Sequence, residues 1–330
     1  MLRPSLAQEA RTAANSFADL CELLDESART LRYLSRDISA CYLPFDLRPV
    51  HKARWRHIDN PKGQLRQVQR KIHRRCLREL EFPDGVVGGV KGRSLIDNAR
   101  PHLRQPVVVA LDLKNCFRRI SHKAVYRIWV SLGWSANAAR ELTLLTTLNG
   151  SLPQGSPTSN ALANLALLPI LKEVDEIAKQ RGLRWTMWVD DLTISGPNAP
   201  QAIESVIQVI RKHGHGVRCS KKRVMPAGAP QIVTGLLVNE ELAVPEDYLD
   251  RLRSDFTALG VRESISEREL RGLAGRVAFV RSISESQAER LRDQVQLTLK
   301  GLSLPTVSSG GELSSELRRC NASRASCLAT

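Results

Sequence analysis

The sequence predicts a mixed α+β fold in which short apolar strands alternate with longer helices. Runs at 106–112 and 184–195 are rich in Val, Ile, Thr and Trp, as is typical of strands. Segments at 121–132, 160–180 and 285–300 have helical character instead. With 330 residues, 42% of them hydrophobic, the chain is long enough to bury a sizeable core.

The predicted elements follow one another along the chain. They are helices within 1–40, short strands and turns at 42–60, a basic helix at 64–80, a glycine-rich loop at 85–92, a strand at 106–112, helices at 121–132, 137–148 and 160–180, a strand–turn–strand at 184–195, a helix near 200–213, extended segments near 217–225 and 231–238, and helices at 246–259, 266–281 and 285–300. Pro169 is expected to kink the long helix that contains it.

The composition favours a polyanionic partner. Lys and Arg number 49 against 34 Asp and Glu, which gives a formal charge of +15. Eleven of these basic residues lie between Arg48 and Arg78, with Asp59 the only acid among them. Every fourth residue of the predicted basic helix is an arginine, so one helical stripe would carry Arg66, Arg70, Arg74 and Arg78. An ordinary solvated surface is the alternative explanation, although such a surface usually mixes the two signs of charge.

The cysteines and the apolar runs predict a soluble cytoplasmic protein without membrane contact. The seven cysteines are odd in number and lack the spacing of a zinc site, which indicates reduced thiols. The N-terminus is polar, so no signal peptide is expected, and no apolar run approaches 18 residues.

Three carboxylates at predicted strand ends suggest a metal site. Asp190 and Asp191 stand at the apex of the strand–turn–strand, and Asp112 closes the apolar run that begins at Val107. Adjacent carboxylates repel each other unless a cation neutralises them. The pattern fits two Mg²⁺ ions that clamp the attacking and leaving oxygens of a nucleotidyl transfer, with Mn²⁺ as an alternative. A simple turn would also explain Asp190 and Asp191, because Asp favours turns.

Six motifs in order resemble those of bacterial retron reverse transcriptases. They are Val-Ala-Leu-Asp-Leu (109–113), Leu-Pro-Gln-Gly-Ser-Pro-Thr-Ser (152–159), Val-Asp-Asp-Leu-Thr-Ile-Ser (189–195), Lys-Lys (221–222), Asn-Ala-Arg-Pro-His (98–102) and Val-Thr-Gly-Leu (233–236). The first four resemble the palm motifs of reverse transcriptases in general, and the last two narrow the resemblance to retron enzymes. The similarity extends from about residue 45 to residue 300.

The resemblance implies a right-hand polymerase with fingers, palm and a short helical thumb. The expected regions are an N-terminal helical region (1–40), fingers (41–105), a palm with the catalytic site (106–240), a helical thumb (241–305) and a flexible tail (306–330). The thumb would follow the minor groove of the RNA–DNA hybrid.

The resemblance also assigns roles to single residues. Asp112, Asp190 and Asp191 would be catalytic and, with the Leu113 carbonyl, would hold the metal ions. Deoxynucleoside triphosphates would be bound by Arg56, Lys52, Phe117, Gln154, Gly155 and Lys222. Lys222 or its neighbour Lys221 could protonate the leaving pyrophosphate. Phe117 would exclude a ribose 2′-hydroxyl, although such a residue could equally belong to the core.

A further set of residues would recognise the RNA or the primer. It comprises Asn98, His102, Trp188, Thr234, Gly235 and the four arginines of the basic helix. Asn98, His102, Thr234 and Gly235 would either contact a structured RNA or shape the site that admits an internal 2′-hydroxyl as primer. Trp188 departs from the family pattern, which usually has Tyr at this position.

The implied function is synthesis of DNA from a cognate structured noncoding RNA. Retron enzymes start from the 2′-hydroxyl of an internal guanosine and make a branched RNA–DNA product (msDNA), and they commonly serve in anti-phage defence with a separate effector protein. A host ribonuclease H would trim the template. Two alternatives remain: a group II intron-like or diversity-generating reverse transcriptase, and an RNA-binding scaffold whose polymerase site is vestigial.

Overall fold

The computed structural model of the protein describes residues 15–48, 55–260 and 266–300. Its helices are α1 (Phe17–Leu24), α2 (Ala28–Arg36), α3 (Gly63–Ile72), α4 (Leu95–Ala99), α5 (Cys116–Arg119), α6 (His122–Ser131), α7 (Ala136–Thr146), α8 (Ser159–Gln180), α9 (Ala199–Lys212), α10 (Glu246–Gly260), α11 (Glu267–Ile283) and α12 (Glu285–Lys300). Its strands are β1 (Tyr42–Leu47), β2 (Arg56–Pro61), β3 (Val107–Asp112), β4 (Arg184–Trp188), β5 (Asp191–Ser195), β6 (Arg223–Pro226), β7 (Ile232–Val233) and β8 (Leu236–Leu237). Lys52, the first fourteen residues and the predicted tail at 306–330 lie outside the described residues.

A four-stranded antiparallel sheet is the centre of the molecule. Its strand order is β4–β5–β3–β6, so β3 is paired on both sides. The apolar run that begins at Val107 accordingly has most of its side chains buried. Helix α9 packs against β3 and against α8, and α8 also packs against β4. Strands and helices thus share one core, which confirms the mixed α+β class.

The long apolar helix predicted at 160–180 is present as α8, with Pro169 inside it. Its first turn is anchored because the Ser159 hydroxyl donates to the Pro153 carbonyl at 2.6 Å. The loop before α8 is therefore fixed to the helix that follows it, which matters because this loop carries Gln154 and Gly155.

Strands β1 and β2 form a hairpin that docks on the same loop. The Asp59 backbone N–H donates to the Gln154 carbonyl at 2.7 Å, and the Gln154 N–H donates to the Asp59 carboxylate at 3.1 Å. Gly155 has φ +123°, and a Cβ there would lie 2.8 Å from Ile58 Cγ2 and 3.0 Å from the Asp59 carbonyl oxygen. Only glycine lets the two backbones approach so closely.

The basic helix predicted at 64–80 is present as α3 and continues as a π-helical turn over His73–Leu77. Its apolar face starts with Leu65, Val68 and Ile72, all fully buried. An uninterrupted α-helical period would continue this face at Cys76, but the wider π turn adds a residue, and Leu77 is buried instead while Cys76 is only partly covered. The predicted arginine stripe is solvent-exposed, at Arg66, Arg70, Arg74 and Arg78.

The last three described helices have a core of their own, which includes Leu249, Leu252 and Leu273. Val244 ties the segment before α10 to α12, because its N–H and its carbonyl both bond the Gln287 side chain, at 2.8 and 2.9 Å. Within the described ranges, every helix is too short or too polar to traverse a lipid bilayer. The boundaries of fingers, palm and thumb stay a prediction.

Candidate active site

The fold brings the three carboxylates to one end of the central sheet. Asp112 is the last residue of β3, Asp191 is the first residue of β5, and the antiparallel register places these two opposite each other. Asp190 precedes Asp191 in the turn from β4 to β5. The prediction of acids at strand ends is therefore confirmed for backbone position, with one correction: the two-residue turn is Val189-Asp190, and Asp191 already belongs to the strand.

This turn is strained and is held from the neighbouring strand. Val189 has φ +60°, a left-handed conformation that costs a β-branched residue about 1–3 kcal/mol. The Leu113 N–H donates to the Asp190 carbonyl at 2.8 Å and so links the turn to the end of β3. The bond fixes the Asp190 backbone beside Asp112.

The electrostatics of the turn favour a bound cation. Burial, together with the charges of Asp191 and Asp112, raises the pKa of Asp190 to about 6. The buried thiol of Cys116 also has its pKa raised, to about 12, by burial and then by the charges of Asp190 and Asp112. Negative charge at Asp112 and Asp190 thus lies where solvent access is limited, while Asp191 is exposed.

Two basic side chains from the segment after α9 contact the Asp112 carboxylate. The Lys221 ammonium forms an ion pair with Oδ1, and Arg218 Nε lies 3.4 Å from Oδ2. Oδ2 is buried and has no hydrogen-bond partner, so the Arg218 contact is electrostatic only. Both predicted lysines are exposed, but Lys221 is the one whose ammonium pairs with Asp112.

The donor set fits hard divalent cations, which prefer carboxylate and carbonyl oxygens. Three mutually repelling carboxylates, one with an unbonded buried oxygen, form a site that a cation would stabilise. In the described part of the chain no three Asp, Glu, His or Cys side chains are already gathered as a metal centre. At Asp112, the positive charge of Lys221 neutralises the carboxylate as a bound cation would.

The glycine-rich loop predicted at 85–92 supports the β4–β5 hairpin along β4, the edge strand of the sheet. Met187 in β4 donates to the Gly85 carbonyl at 2.7 Å and accepts from the Val87 and Gly88 N–H groups at 3.0 and 3.1 Å. A Cβ on Gly88 would lie 2.4 Å from the Val189 nitrogen. The Gly88 carbonyl accepts from the fully buried Asn164 of α8 at 2.8 Å.

His102 holds the base of the same hairpin. It is fully buried, with Nδ1 2.7 Å from the Ser195 hydroxyl and Nε2 2.8 Å from the Thr186 hydroxyl. Burial, with a further effect from Arg184, lowers the pKa of His102 to about 3, so the ring is neutral. Because Thr186 can donate to the Asn98 carbonyl, at 3.3 Å, it can accept from Nε2–H, and Ser195 then donates to Nδ1.

Asn98 connects this network to the Val-Thr-Gly motif. Its side-chain nitrogen donates to the Thr234 hydroxyl at 3.3 Å, across 136 residues of sequence. Thr234 and Gly235, with φ +46° and +86°, form the tight turn between β7 and β8. Because Asn98 and His102 are fully buried, their side chains cannot contact RNA in this structure. Of the two predicted roles, shaping the site is the one that their geometry allows.

The remaining predicted residues lie near the acids or at the β1–β2 hairpin. Phe117 is half-buried in α5, directly after Cys116, and Trp188 is paired with Asp191 in the sheet. Gln154 and Gly155 contact β2 as described above, and Arg56 begins that strand with an exposed side chain. No described contact joins Arg56 to the acids.

Sequence reasoning missed three residues of the site. Asn164 could have been noticed as a polar residue inside an apolar helix, and Gly88 was predicted only as part of the glycine-rich loop, without a place at the site. Arg218 carries no signal in the sequence, because nothing local distinguishes it from other surface arginines.

The comparisons with known proteins agree with this geometry. The family "Reverse transcriptase (RNA-dependent DNA polymerase)" matches residues 48–234, more than half of the chain and all three acids. The Retron Mx65 reverse transcriptase of Myxococcus xanthus is 30% identical over 299 residues, which cover 83% of this chain and 69% of that protein. The Retron Ec86 reverse transcriptase of Escherichia coli is 24% identical over 282 residues, covering 84% and 87%.

A solved structure also matches, that of telomerase from Candida albicans in complex with a fragment of telomeric RNA. The two chains are 11% identical with a TM-score of 0.43, and the match covers 85% of this chain and 62% of the telomerase chain. This is a weak structural similarity.

A substitution at Gly88 tests whether the glycine loop positions the turn. Gly88→Ala should lower the rate of nucleotide addition more than tenfold, because the methyl group displaces the Val189 backbone and misplaced reacting groups are costly. Gly228→Ala is the control, since a Cβ at Gly228 meets nothing within 4 Å and its φ is also ordinary. Equal rates for the two variants in primer extension would show that the loop does not position the turn.

Asp190 should make the metal-free protein less stable as the pH rises. Its pKa is about 6 in the fold against 3.8 in a model carboxyl group, so unfolding between these values releases a proton. The stabilisation is full below pH 3.8 and is lost as the pH rises through about 6. Asp190→Asn should therefore be more stable than wild type at pH 7.5, by roughly 3 kcal/mol, and lose this advantage near pH 4.

Chemical denaturation in EDTA at several pH values measures this difference. Asp84→Asn, at an exposed carboxylate paired with Arg93, should follow the wild-type profile. A stability difference between Asp190→Asn and wild type that is constant over the whole pH range would contradict the prediction.

Proposed function

The chain belongs to the retron-type reverse transcriptases and is an RNA-directed DNA polymerase, and we propose that it makes branched RNA-linked single-stranded DNA (msDNA) from a cognate structured noncoding RNA. Synthesis would start from the 2′-hydroxyl of an internal guanosine, a host ribonuclease H would trim the template, and the product would serve anti-phage defence together with a separate effector protein. The placement of Asp112 opposite Asp191, with Asp190 adjacent, inside the segment that matches the family, supports the polymerase chemistry. The similarity to two retron reverse transcriptases supports the retron-specific part of the proposal.

Reverse transcriptases use divalent metal ions, and we assign Mg²⁺ to this site, with Mn²⁺ as a substitute. Asp112, Asp190 and Asp191 would hold the ions, and the Leu113 carbonyl would be a further ligand. When bound, such ions supply charge neutralisation for the transferring phosphoryl group and make the primer hydroxyl easier to deprotonate.

The reaction needs positioning and charge compensation more than covalent help from the protein. The bond between the primer oxygen and the α-phosphorus forms, the bond from that phosphorus to the β-phosphate oxygen breaks, and pyrophosphate leaves. Lys221 is the residue best placed to supply a proton to the leaving group, because its ammonium already lies at the acids. Lys222, Arg56 and Lys52 would contribute positive charge toward the triphosphate.

The template contacts are assigned to the exposed basic surface of the fingers. Arg66, Arg70 and Arg74 are solvent-exposed, as phosphate binding requires, and Arg78 extends the set beyond the π turn. Gln154 and Gly155 would contact the nucleotide or the template from a loop that β2 holds in place. Trp188 would contact the primer end, and Thr234 and Gly235 would help shape the RNA-binding site.

Synthesis by the purified protein tests the proposed function in two ways. Wild type should extend oligo(dT) on poly(rA) with Mg²⁺, and the Asp190→Asn/Asp191→Asn protein should not. Co-expression with the flanking DNA should yield a branched RNA–DNA product from wild type only. If wild type extends the annealed primer but never yields a branched product, the proposed priming would be wrong. Plaque assays with the same two proteins test the defence role.

Asn98→Ala should separate the two kinds of synthesis. If the buried network shapes the priming site, branched product should fall more than tenfold, while extension on poly(rA) should stay within about threefold of wild type, a difference of under 1 kcal/mol. A loss that is the same in both assays would indicate a purely structural role.

Phe117→Val should relax the choice of sugar. If the ring excludes a ribose 2′-hydroxyl, the efficiency of ribonucleotide relative to deoxynucleotide addition should rise on the order of tenfold. Phe17→Val is the control, because Phe17 is also a partly buried aromatic residue packed on the same core, but it belongs to α1 and no described contact joins it to the acids. Unchanged discrimination in the Phe117 variant would contradict the assignment.

A further inference from the structure

The segment from residue 216 to residue 221 surrounds the first catalytic aspartate. Its backbone is tied to the end of β3, because the Lys114 N–H donates to the Gly216 carbonyl at 2.7 Å and the Arg218 N–H donates to the Asp112 carbonyl at 2.8 Å. Residues after the second tie form a short 3₁₀ helix, Cys219–Lys221. The backbone geometry thus fixes where the two basic side chains of this segment begin.

Both carboxylate oxygens of Asp112 face positive charge from this segment. Lys221 pairs with Oδ1, and Arg218 Nε lies 3.4 Å from Oδ2, while only 5% of the Asp112 side chain is exposed. The two basic side chains are more exposed than Asp112, since those of Lys221 and Arg218 are 49% and 27% exposed. A buried anion is therefore held by two cations that can still turn toward solvent.

The charges around Asp112 suit the metal-free protein. This one carboxylate faces two basic groups, so its negative charge is already compensated without a metal ion. Two divalent cations bound to the acids would make the same site strongly positive, so Arg218 and Lys221 would repel them. The incoming nucleotide carries a triphosphate, which is the natural partner for a guanidinium and an ammonium group.

We propose that Arg218 and Lys221 are exchangeable counter-ions, which neutralise Asp112 in the metal-free enzyme and bind the triphosphate of the nucleotide once divalent cations hold the acids. Arg218 becomes a nucleotide-binding residue that no motif indicates. The inference rests on the proposed cation site and adds to it an order of events at Asp112.

The exchange has an experimental signature that a structural role lacks. Removing either positive charge takes away a competitor of the metal ion, so metal binding without nucleotide should become tighter. The same change takes away a ligand of the triphosphate, so the KM for dTTP should rise. A residue that merely supports the fold would weaken both.

Arg218→Gln and Lys221→Met are the test variants. Glutamine at 218 keeps the backbone N–H that bonds Asp112, and methionine at 221 keeps most of the lysine side-chain length. Arg211→Gln is the charge-matched control, since Arg211 is an exposed residue of α9 whose carboxylate contact is Glu204 at 3.7 Å. Binding of Mn²⁺ to the nucleotide-free protein is measured from the electron paramagnetic resonance signal of free Mn²⁺. The KM for dTTP is measured separately, by primer extension on oligo(dT)·poly(rA).

We expect each variant to bind Mn²⁺ roughly threefold to tenfold more tightly and to raise the KM by about tenfold, as suits one charge in a partly screened site. Arg211→Gln should change neither value. Arg218→Lys retains the charge, so its Mn²⁺ affinity should stay near wild type while its KM rises less. This variant keeps the inference testable if Arg218→Gln unfolds.

Weaker or unchanged Mn²⁺ binding in both Arg218→Gln and Lys221→Met, with wild type binding normally, would overturn the inference alone. If wild-type protein binds Mn²⁺ no better than the Asp190→Asn/Asp191→Asn protein, the proposed cation site itself fails. The two failures are therefore distinguishable.

Discussion

Mutual repulsion of three carboxylates is the constraint on which the rest of this structure depends. Asp112, Asp190 and Asp191 come from two strands and a turn, and nothing in their own chemistry would keep them together without a cation. The fold has to supply the restraint in advance. Antiparallel register between β3 and β5 does so for two acids, and the Leu113–Asp190 backbone bond does so for the third.

Contacts on several sides hold the β4–β5 hairpin, which carries Asp190 and Asp191, in place. The glycine loop bonds its edge strand β4, and His102 joins its two strands near their other ends through Thr186 and Ser195. A neutral imidazole suits this place, because it can donate at one nitrogen and accept at the other without adding a buried charge. The strained φ of Val189 persists because these contacts leave the turn no other conformation.

The sequence predicted the parts of the site that depend on local pattern. Strand ends, the hairpin and the long helix follow from residue spacing, which predicted Asp112 at a strand end and Asp190 in the turn, whereas Asp191 begins β5 and is not part of the turn. Contacts between distant residues could not be predicted in this way: the Asn98–Thr234 bond joins residues 136 apart, and the π turn that buries Leu77 breaks the period that pointed to Cys76. Equally, no spacing rule distinguishes Lys221 from Lys222, since only the 3₁₀ helix decides which ammonium faces Asp112.

The same dependence on distant contacts links the loop of Gln154 and Gly155 to the β1–β2 hairpin. Gln154 and Gly155 sit in a loop that bonds β2 on one side and is anchored to α8 on the other. Strand β2 begins at Arg56 and contacts the loop at Asp59. A phosphate bound at Arg56 would therefore be connected to the loop by one continuous strand. Because Gly155 has no side chain, the strand and the loop meet backbone to backbone, and a shift of either must move the other. The loop that carries Gln154 and Gly155 is thus held jointly by the β1–β2 hairpin and by α8.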